Sequence, residues 1–248
     1  MKALILAAGY ATRLYPITRD YPKPLLKVKR KPIIDYIVDK LDQIDKISEI
    51  FVITNSKFIP FFRRWSKNLP VSKRLSLVDD LTKDNSSRLG AIGDIDFAVT
   101  KKKIKDDILV IGGDNLFDSG LQEFLSFAMA HKLSPVIGAF DIKSKGKAGH
   151  FGVVKLGPDN RIIYFKEKPK DAKSSLVAMC LYYFPKERLA MIKEYLRQKK
   201  YKKDATGLYI DWLRKKIPVY GFVFGGRWFD IGDHKFYGRA RESFSHTI

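Results

Sequence analysis

The stretch LILAAGYATRLYPITRDYPKPLL, residues 4–26, constrains this chain more than any other. Residues 3–6 are a short apolar run of the kind that forms a strand buried on both faces. At Ala7, Ala8 and Gly9 the side chains shrink, which uncovers backbone N–H groups and lets a ligand approach the main chain. Thr12 and Arg13 then supply a hydroxyl and a permanent cation whose fork of donors suits phosphate oxygens. Lys23 stands between Pro22 and Pro24, whose restricted torsions limit where the ammonium points. A buried strand, a bare loop and two cations describe a site for a polyphosphate. Taken alone, a small-residue turn after a strand is equally compatible with a packing role.

Beyond this stretch, apolar residues at 33, 34, 37, 38, 41 and 44 form a helical stripe. Strands are expected at residues 50–53, 75–78, 108–111 and 136–140. Helices are expected from residue 58, over 91–99 and over 121–130, with a polar loop at 79–89. This alternation predicts a largely parallel, doubly wound sheet in an α/β fold. From residue 151 the pattern changes. Strands at 151–156 and 162–165 flank the turn Gly157-Pro158-Asp159-Asn160. A strand at 176–184, helices at 189–197, 206–213 and 235–244, and strands at 219–224 and 228–231 close the sheet. No linker divides the chain, so one domain over residues 1–248 is expected, with two halves meeting near residue 140.

Charge narrows the class of partner. Lys and Arg number 47 against 27 Asp and Glu, a net charge of +20 that invites a nucleic-acid or membrane reading. The basic residues are spread over runs at 27–30, 63–73, 101–105, 143–147, 166–173, 197–203 and 214–216. No helix-turn-helix, RNP-like or zinc-finger pattern accompanies them, so a nucleic-acid partner is not expected. No apolar run approaches the ~20 residues that span a bilayer, and the N-terminus enters the first strand without a signal-peptide core. The cytosol is the expected address, with no membrane partner. Cys180 is the single cysteine, and His131, His150, His234 and His246 have no paired spacing, so no transition-metal site is expected.

Three further constellations carry chemistry. Asp114 follows an apolar strand and Gly112-Gly113, where a carboxylate serves either as a helix cap or as a ligand for phosphate-bound metal. Asp118 is expected to cap the next helix. Phe165-Lys166-Glu167-Lys168-Pro169 has the charge alternation of an edge strand. Trp228-Phe229-Asp230-Ile231-Gly232-Asp233 supplies a second isolated carboxylate.

The first stretch resembles the signature of the sugar-1-phosphate nucleotidylyltransferases, LAAGxGTRLxPxT followed by PKPLL. Ala7, Ala8, Gly9, Thr12, Arg13, Leu14, Pro16, Thr18, Pro22, Lys23, Pro24 and Leu25 all match. Ala11 stands where the family has glycine; if that position takes a positive φ, its methyl group costs roughly 1 kcal/mol. LVIGGDNLF resembles the family's metal-binding strand end, and the segment at Trp228 resembles W-x-D-T-G with Ile231 in place of threonine. The resemblance implies a three-layer α/β/α, Rossmann-like fold with a mostly parallel mixed central sheet. It assigns residues 1–140 to nucleotide and 141–248 to sugar phosphate, with no C-terminal β-helix and hence no acyl transfer.

The implied reaction moves an NMP from an NTP, with dTTP or UTP favoured, to a sugar-1-phosphate, with glucose-1-phosphate favoured. It gives an NDP-sugar and pyrophosphate. Leu6, Ala7, Ala8, Gly9, Thr12, Arg13 and Gly90 are implied nucleotide contacts. Lys23, Gly152, Glu167, Lys168 and Val177 are implied sugar-phosphate contacts, and Asp114 and Asp230 would hold Mg²⁺. Arg13, Lys23, Asp114 and Asp230 form the implied catalytic set. The family's base-reading glutamine is not evident at residues 85–90, and Arg88 is open to a phosphate-binding or a solvated role. Two alternatives stand beside this reading. One is transfer to phosphocholine or inositol phosphate, with Tyr164, Tyr182 and Tyr183 available for an aromatic cage. The other is a non-catalytic nucleotide- or nucleic-acid-binding module. The oligomeric state is left open.

Overall fold

A computed structural model describes residues 1–198 and 206–244; Lys199, Lys200, Lys202, Lys203 and His246 lie outside the described residues. Strand β1 (Lys2–Leu6) leads through the small-residue loop to a short hairpin, β2 (Lys27–Val28) and β3 (Lys31–Pro32). There follow α1 (Ile33–Asp42), β4 (Glu49–Thr54), α2 (Ile59–Lys67), β5 (Arg74–Asp79), α3 (Ala91–Lys101) and β6 (Ile108–Gly112). Next come β7 (Asn115–Phe117), α4 (Gln122–Ala130), β8 (Val136–Asp141) and the single turn α5 (Lys145–Ala148). The remainder holds β9 (Gly152–Leu156), β10 (Ile162–Glu167), β11 (Leu176–Phe184), α6 (Ala190–Arg197) and α7 (Thr206–Leu213). It ends with β12 (Tyr220–Phe224), β13 (Trp228–Asp230) and α8 (His234–Ser243).

The strand interiors are apolar on both faces, and the period of two decides which core each residue enters. Ala3 and Ile5 of β1, Ile50 and Val52 of β4, and Leu109 and Ile111 of β6 face one core with α1, α2 and α4. Leu4, Phe51, Ile53, Ile108 and Val110 face the other, with α3, α6 and α7. Each fully buried aliphatic side chain contributes on the order of 1.5–3 kcal/mol of transfer free energy, so a sheet covered on both faces is the stable solution.

The main sheet runs in the order β10-β9-β11-β6-β1-β4-β5, with β8 beside β11 and β12 beside β8. Strands β6, β1, β4 and β5 are parallel. Strand β11 then runs antiparallel to β6, β8 and β9. The expected mixed α/β sheet is thus present, with its antiparallel pairs gathered in the second half of the chain. Along β11 the register shifts between Ala178 and Tyr182, where Cys180 takes a positive φ of 54°. The bulge bends the strand, so its first half pairs with β9 and its second with β6.

Two expectations differ from the structure. Residues 228–231 do not close the main sheet: β13 pairs with β7 in a separate antiparallel ribbon. Asp118 does not cap α4, whose first turn starts at Leu121 without a side-chain cap. Its carboxylate instead accepts from the Arg227 backbone N–H at 2.7 Å and from Arg227 Nε at 2.8 Å. Two charge-assisted bonds to one partner outweigh a single capping bond. Despite burial, they hold the Asp118 carboxyl below its ordinary pKa. Together with Trp228 Nε1, which donates to Asn115 Oδ1 at 2.7 Å, they hold the two strands of the ribbon together.

Candidate active site

Strand β1 lies between β4 and β6. The chain steps from β1 to β4 and β5 on one side and then returns to β6 on the other. That switch point opens a crevice outside the carboxyl ends of β1 and β6, where open α/β sheets bind ligands.

The loop after β1 is clamped at its root and bare at its tip. Ala7 N–H donates to Ile53 O at 2.8 Å, and Asn55 Nδ2 donates to Ala8 O at 2.8 Å. At Gly9 the backbone is exposed, with open space where a Cβ would stand. Ala11 adopts the left-handed conformation, φ 48° and ψ 43°, fixed by Leu14 N–H and Thr18 Oγ1 donating to its carbonyl at 2.9 and 2.8 Å. The positive φ considered from the sequence is therefore real, and the alanine carries its strain. Thr12 and Arg13 follow on a single exposed turn.

Lys23 opens another short turn, Lys23–Leu25, entered from extended Pro22. Its ammonium is ion-paired to Asp114 and donates to Ile231 O at 3.0 Å. Asp114 reaches this point because Gly113 passes against β1: Gly113 N–H donates to Leu6 O at 2.8 Å, and a Cβ there would stand 2.8 Å from the same oxygen. Ile231 N–H donates to Asp114 O at 3.3 Å, which brings Asp230 alongside. Burial and the Asp114 charge push the Asp230 carboxyl up to about 6, against the pull of Lys23, Arg13 and Lys168. Arg13, Lys23, Asp114 and Asp230, 217 residues apart at the extremes of the sequence, thus form one constellation.

Among the described residues no group of three or more His, Cys, Asp or Glu is arranged to hold a metal. Two hard carboxylates are a partial shell that suits Mg²⁺, which completes its coordination with water and phosphate oxygens. Cys180 also faces this point, but burial and the charges of Asp114 and Asp230 push its thiol up to about 12.

Beside Asp230 opens a cavity of about 540 Å³, the size of a small-molecule site. Gly152 is pressed against Phe165 and Glu167; a Cβ there would lie 2.7 Å from the ring and 3.1 Å from Glu167 Oε2. Burial raises the Glu167 pKa, offset in part by Lys168. Lys168 itself takes a positive φ of 42°, its N–H donating to Phe151 O at 3.0 Å. Phe151 and Trp228, with ring centroids 5.4 Å apart, form one wall.

Not every implied residue lines this cavity. Val177 is wholly buried with Ala148 and Val153, and its neighbour Ala178 faces the cavity instead, as alternation along a strand requires. Gly90, φ 77°, starts α3 on the other side of the phosphate loop, which Tyr10 joins to the 79–89 loop through Thr82 Oγ1 at 3.2 Å. Arg88 Nη1 donates to Asn85 O at 2.8 Å. Tyr164, Tyr182 and Tyr183 belong to three different clusters and do not converge. Sequence reasoning missed Gly207, Lys147, Lys235 and Arg239, all on the cavity wall. They belong to no recognised motif, and only Lys235 and Arg239, four apart, carried a periodic signal.

Comparison with known proteins places the chain in a family. A family model described as nucleotidyl transferase matches residues 2–246. The chain is 32% identical over 235 residues to the bifunctional protein GlmU of Methanocaldococcus jannaschii, with 94% of this chain and 51% of the relative covered. It therefore spans about half the length of that curated relative. Identity to the glucose-1-phosphate thymidylyltransferase of Neisseria meningitidis serogroup A is 28% over 255 residues, covering 100% of this chain and 83% of the other. A solved Bacillus anthracis chain, provisionally named a glucose-1-phosphate thymidylyltransferase and complexed with sucrose, shares the fold. Its TM-score is 0.80 at 24% identity, with coverage of 100% and 98%. The match spans nearly the whole chain, and the chain belongs to the nucleotidyl transferase family.

Proposed function

We propose that this chain transfers a nucleoside monophosphate from an NTP to a sugar-1-phosphate, releasing pyrophosphate. The observation that carries the reading is the placement of Lys23. Its ammonium lies on Asp114 and Ile231 O and acts on Asp230, the carboxylate that lines the cavity together with Arg13 of the phosphate loop. The exposed backbone of Gly9 and the side chains of Thr12 and Arg13 would cradle the triphosphate, with Arg13 on the departing pyrophosphate. Lys23 would face the α-phosphate and the incoming acceptor phosphate together. That phosphate is already ionised, so no general base is needed, and positioning and charge neutralisation carry the rate. Mg²⁺ held by Asp114 and Asp230 would supply further neutralisation of the α-phosphate.

Gly152, Glu167 and Lys168 would hold the acceptor: Glu167 accepting from sugar hydroxyls, Lys168 facing its phosphate. The name of the Neisseria relative supports dTTP and glucose-1-phosphate as the favoured pair, with UTP beside dTTP. A phosphocholine acceptor is disfavoured, because Arg13, Lys147, Lys168, Lys235 and Arg239 line the cavity and would repel a quaternary ammonium. The test is Mg²⁺-dependent pyrophosphate release with five NTPs, dTTP included, against sugar-1-phosphates, phosphocholine and inositol phosphate. Release with a sugar-1-phosphate supports the reading; release with phosphocholine alone overturns it.

A further inference from the structure

The cavity wall holds more positive charge than one acceptor phosphate requires. Lys23, Arg13 and Lys168 already surround Asp230, where the phosphate chemistry would occur. Farther along the same wall stand Lys147 at the end of α5 and Lys235 and Arg239 on α8. Among the described residues, none of these three side chains makes an ion pair or hydrogen bond. The carboxylates on the same wall do not serve them. Asp233 caps α8 by accepting from Phe236 N–H at 3.0 Å, and Asp230 faces Asp114. Glu167, at the end of β10, lies against Gly207 of α7.

The placement of Lys235 and Arg239 also runs against local helix physics. Lys235 lies in the first turn of α8, two residues past the Asp233 cap, where its charge opposes the helix dipole. Arg239 is four residues on, so two like charges share one face. Phe236, between them, packs against Phe151 at 6.4 Å and fixes that face toward the cavity. The helix is itself joined to the phosphate-loop segment, with His234 Nε2 2.9 Å from Tyr15 O, and to β2, with Tyr237 OH donating to Lys27 O at 3.0 Å. Charges that violate local preference while lining a cavity mark a site that gains from an anion.

We infer that the acceptor carries, besides the phosphate that attacks, a second anionic group, a carboxylate or a second phosphate, held by Lys235 and Arg239. Lys147 adds to the same field from α5. This rests on the nucleotidyl-transfer reading and narrows its acceptor to doubly anionic sugar phosphates.

The test compares glucose-1-phosphate, glucuronic acid 1-phosphate and glucose 1,6-bisphosphate by pyrophosphate release, with Mg²⁺ and the productive NTP. The inference expects kcat/KM about tenfold or more higher for at least one doubly anionic acceptor, as a charge-assisted contact supplies. Which of the two is preferred separates carboxylate from phosphate. In Arg239→Ala and Lys235→Ala the preference collapses, and the change falls in the acceptor KM. Equal kcat/KM for all three acceptors overturns the inference and leaves the transfer reading standing. So does a preference that survives both variants, or a KM change confined to the NTP. No pyrophosphate with any acceptor overturns the transfer reading and the inference with it.

Discussion

The ammonium of Lys23 pairs with the carboxylate of Asp114, 91 residues away, and reaches Ile231 O at 3.0 Å. One side chain thus ties the loop after β1 to the end of β6 and to β13. Removing it separates the two sides of the proposed reaction. Lys23→Ala should fold, because the ammonium is half-buried at a cleft and not in a core. Its turnover should fall about 100-fold or more, the scale for losing one preorganised electrostatic contact. Steady-state pyrophosphate release beside a circular dichroism spectrum checks both halves.

Ala11 offers the opposite kind of variant. Its φ of 48° is one that glycine adopts without a steric penalty. Ala11→Gly should stabilise the protein by about 0.5–1 kcal/mol, the relief of left-handed strain less the added freedom of the unfolded chain. Urea unfolding measures it. A lower midpoint in the variant would show that the loop carries no such strain.

Gly207 opens α7 directly against Glu167 and Phe165, leaving no room for a Cβ. Gly207→Ala should therefore destabilise by about 1–3 kcal/mol through overpacking. It should also displace the Glu167 carboxylate, so acceptor KM rises while NTP KM holds. A thermal melt and a pair of KM determinations check the two effects separately.

Burial raises the Glu167 pKa, so between the ordinary carboxylate value and the raised one the folded state holds a proton there that the unfolded chain has released. The sign follows: this group's contribution to stability is largest at low pH. It is lost as pH climbs from the ordinary carboxylate value through the raised one. Glu167→Gln removes that pH dependence and melts at a higher temperature than the wild type at pH 7. Its kcat/KM should nonetheless fall about tenfold, because an amide accepts fewer and weaker bonds from sugar hydroxyls. Melting curves from pH 4 to 8 for both proteins give the comparison.

Local signals carried most of the fold. The apolar strands and the stripe on α1 were legible because each is decided within a few residues by burial on known faces. The fate of residues 228–231 was not legible. Whether an apolar strand joins a sheet or leaves it for a ribbon depends on partners such as Asn115 and Asp118, more than 100 residues away. That Arg13, Lys23, Asp114 and Asp230 lie together was legible because small-residue loops and carboxylates at strand ends gather at the same edge of an α/β sheet; the chemistry they are proposed to carry is for the experiments above to test. Val177 shows the limit of that approach. A motif places a residue on a strand, whereas the side it faces is set by registry with β8 and β9. Lys235 and Arg239 matched no motif, and only the position of α8 beside the cavity brings them to the wall.

The central claim is tested most directly by mass spectrometry of the product after incubation with Mg²⁺, dTTP or UTP, and glucose-1-phosphate or its doubly anionic analogues. The account predicts an NDP-sugar and one equivalent of pyrophosphate from the wild type, with neither accumulating from Asp114→Ala. A folded wild type that yields no NDP-sugar with any acceptor would contradict it, as would an Asp114→Ala variant that forms product at the wild-type rate.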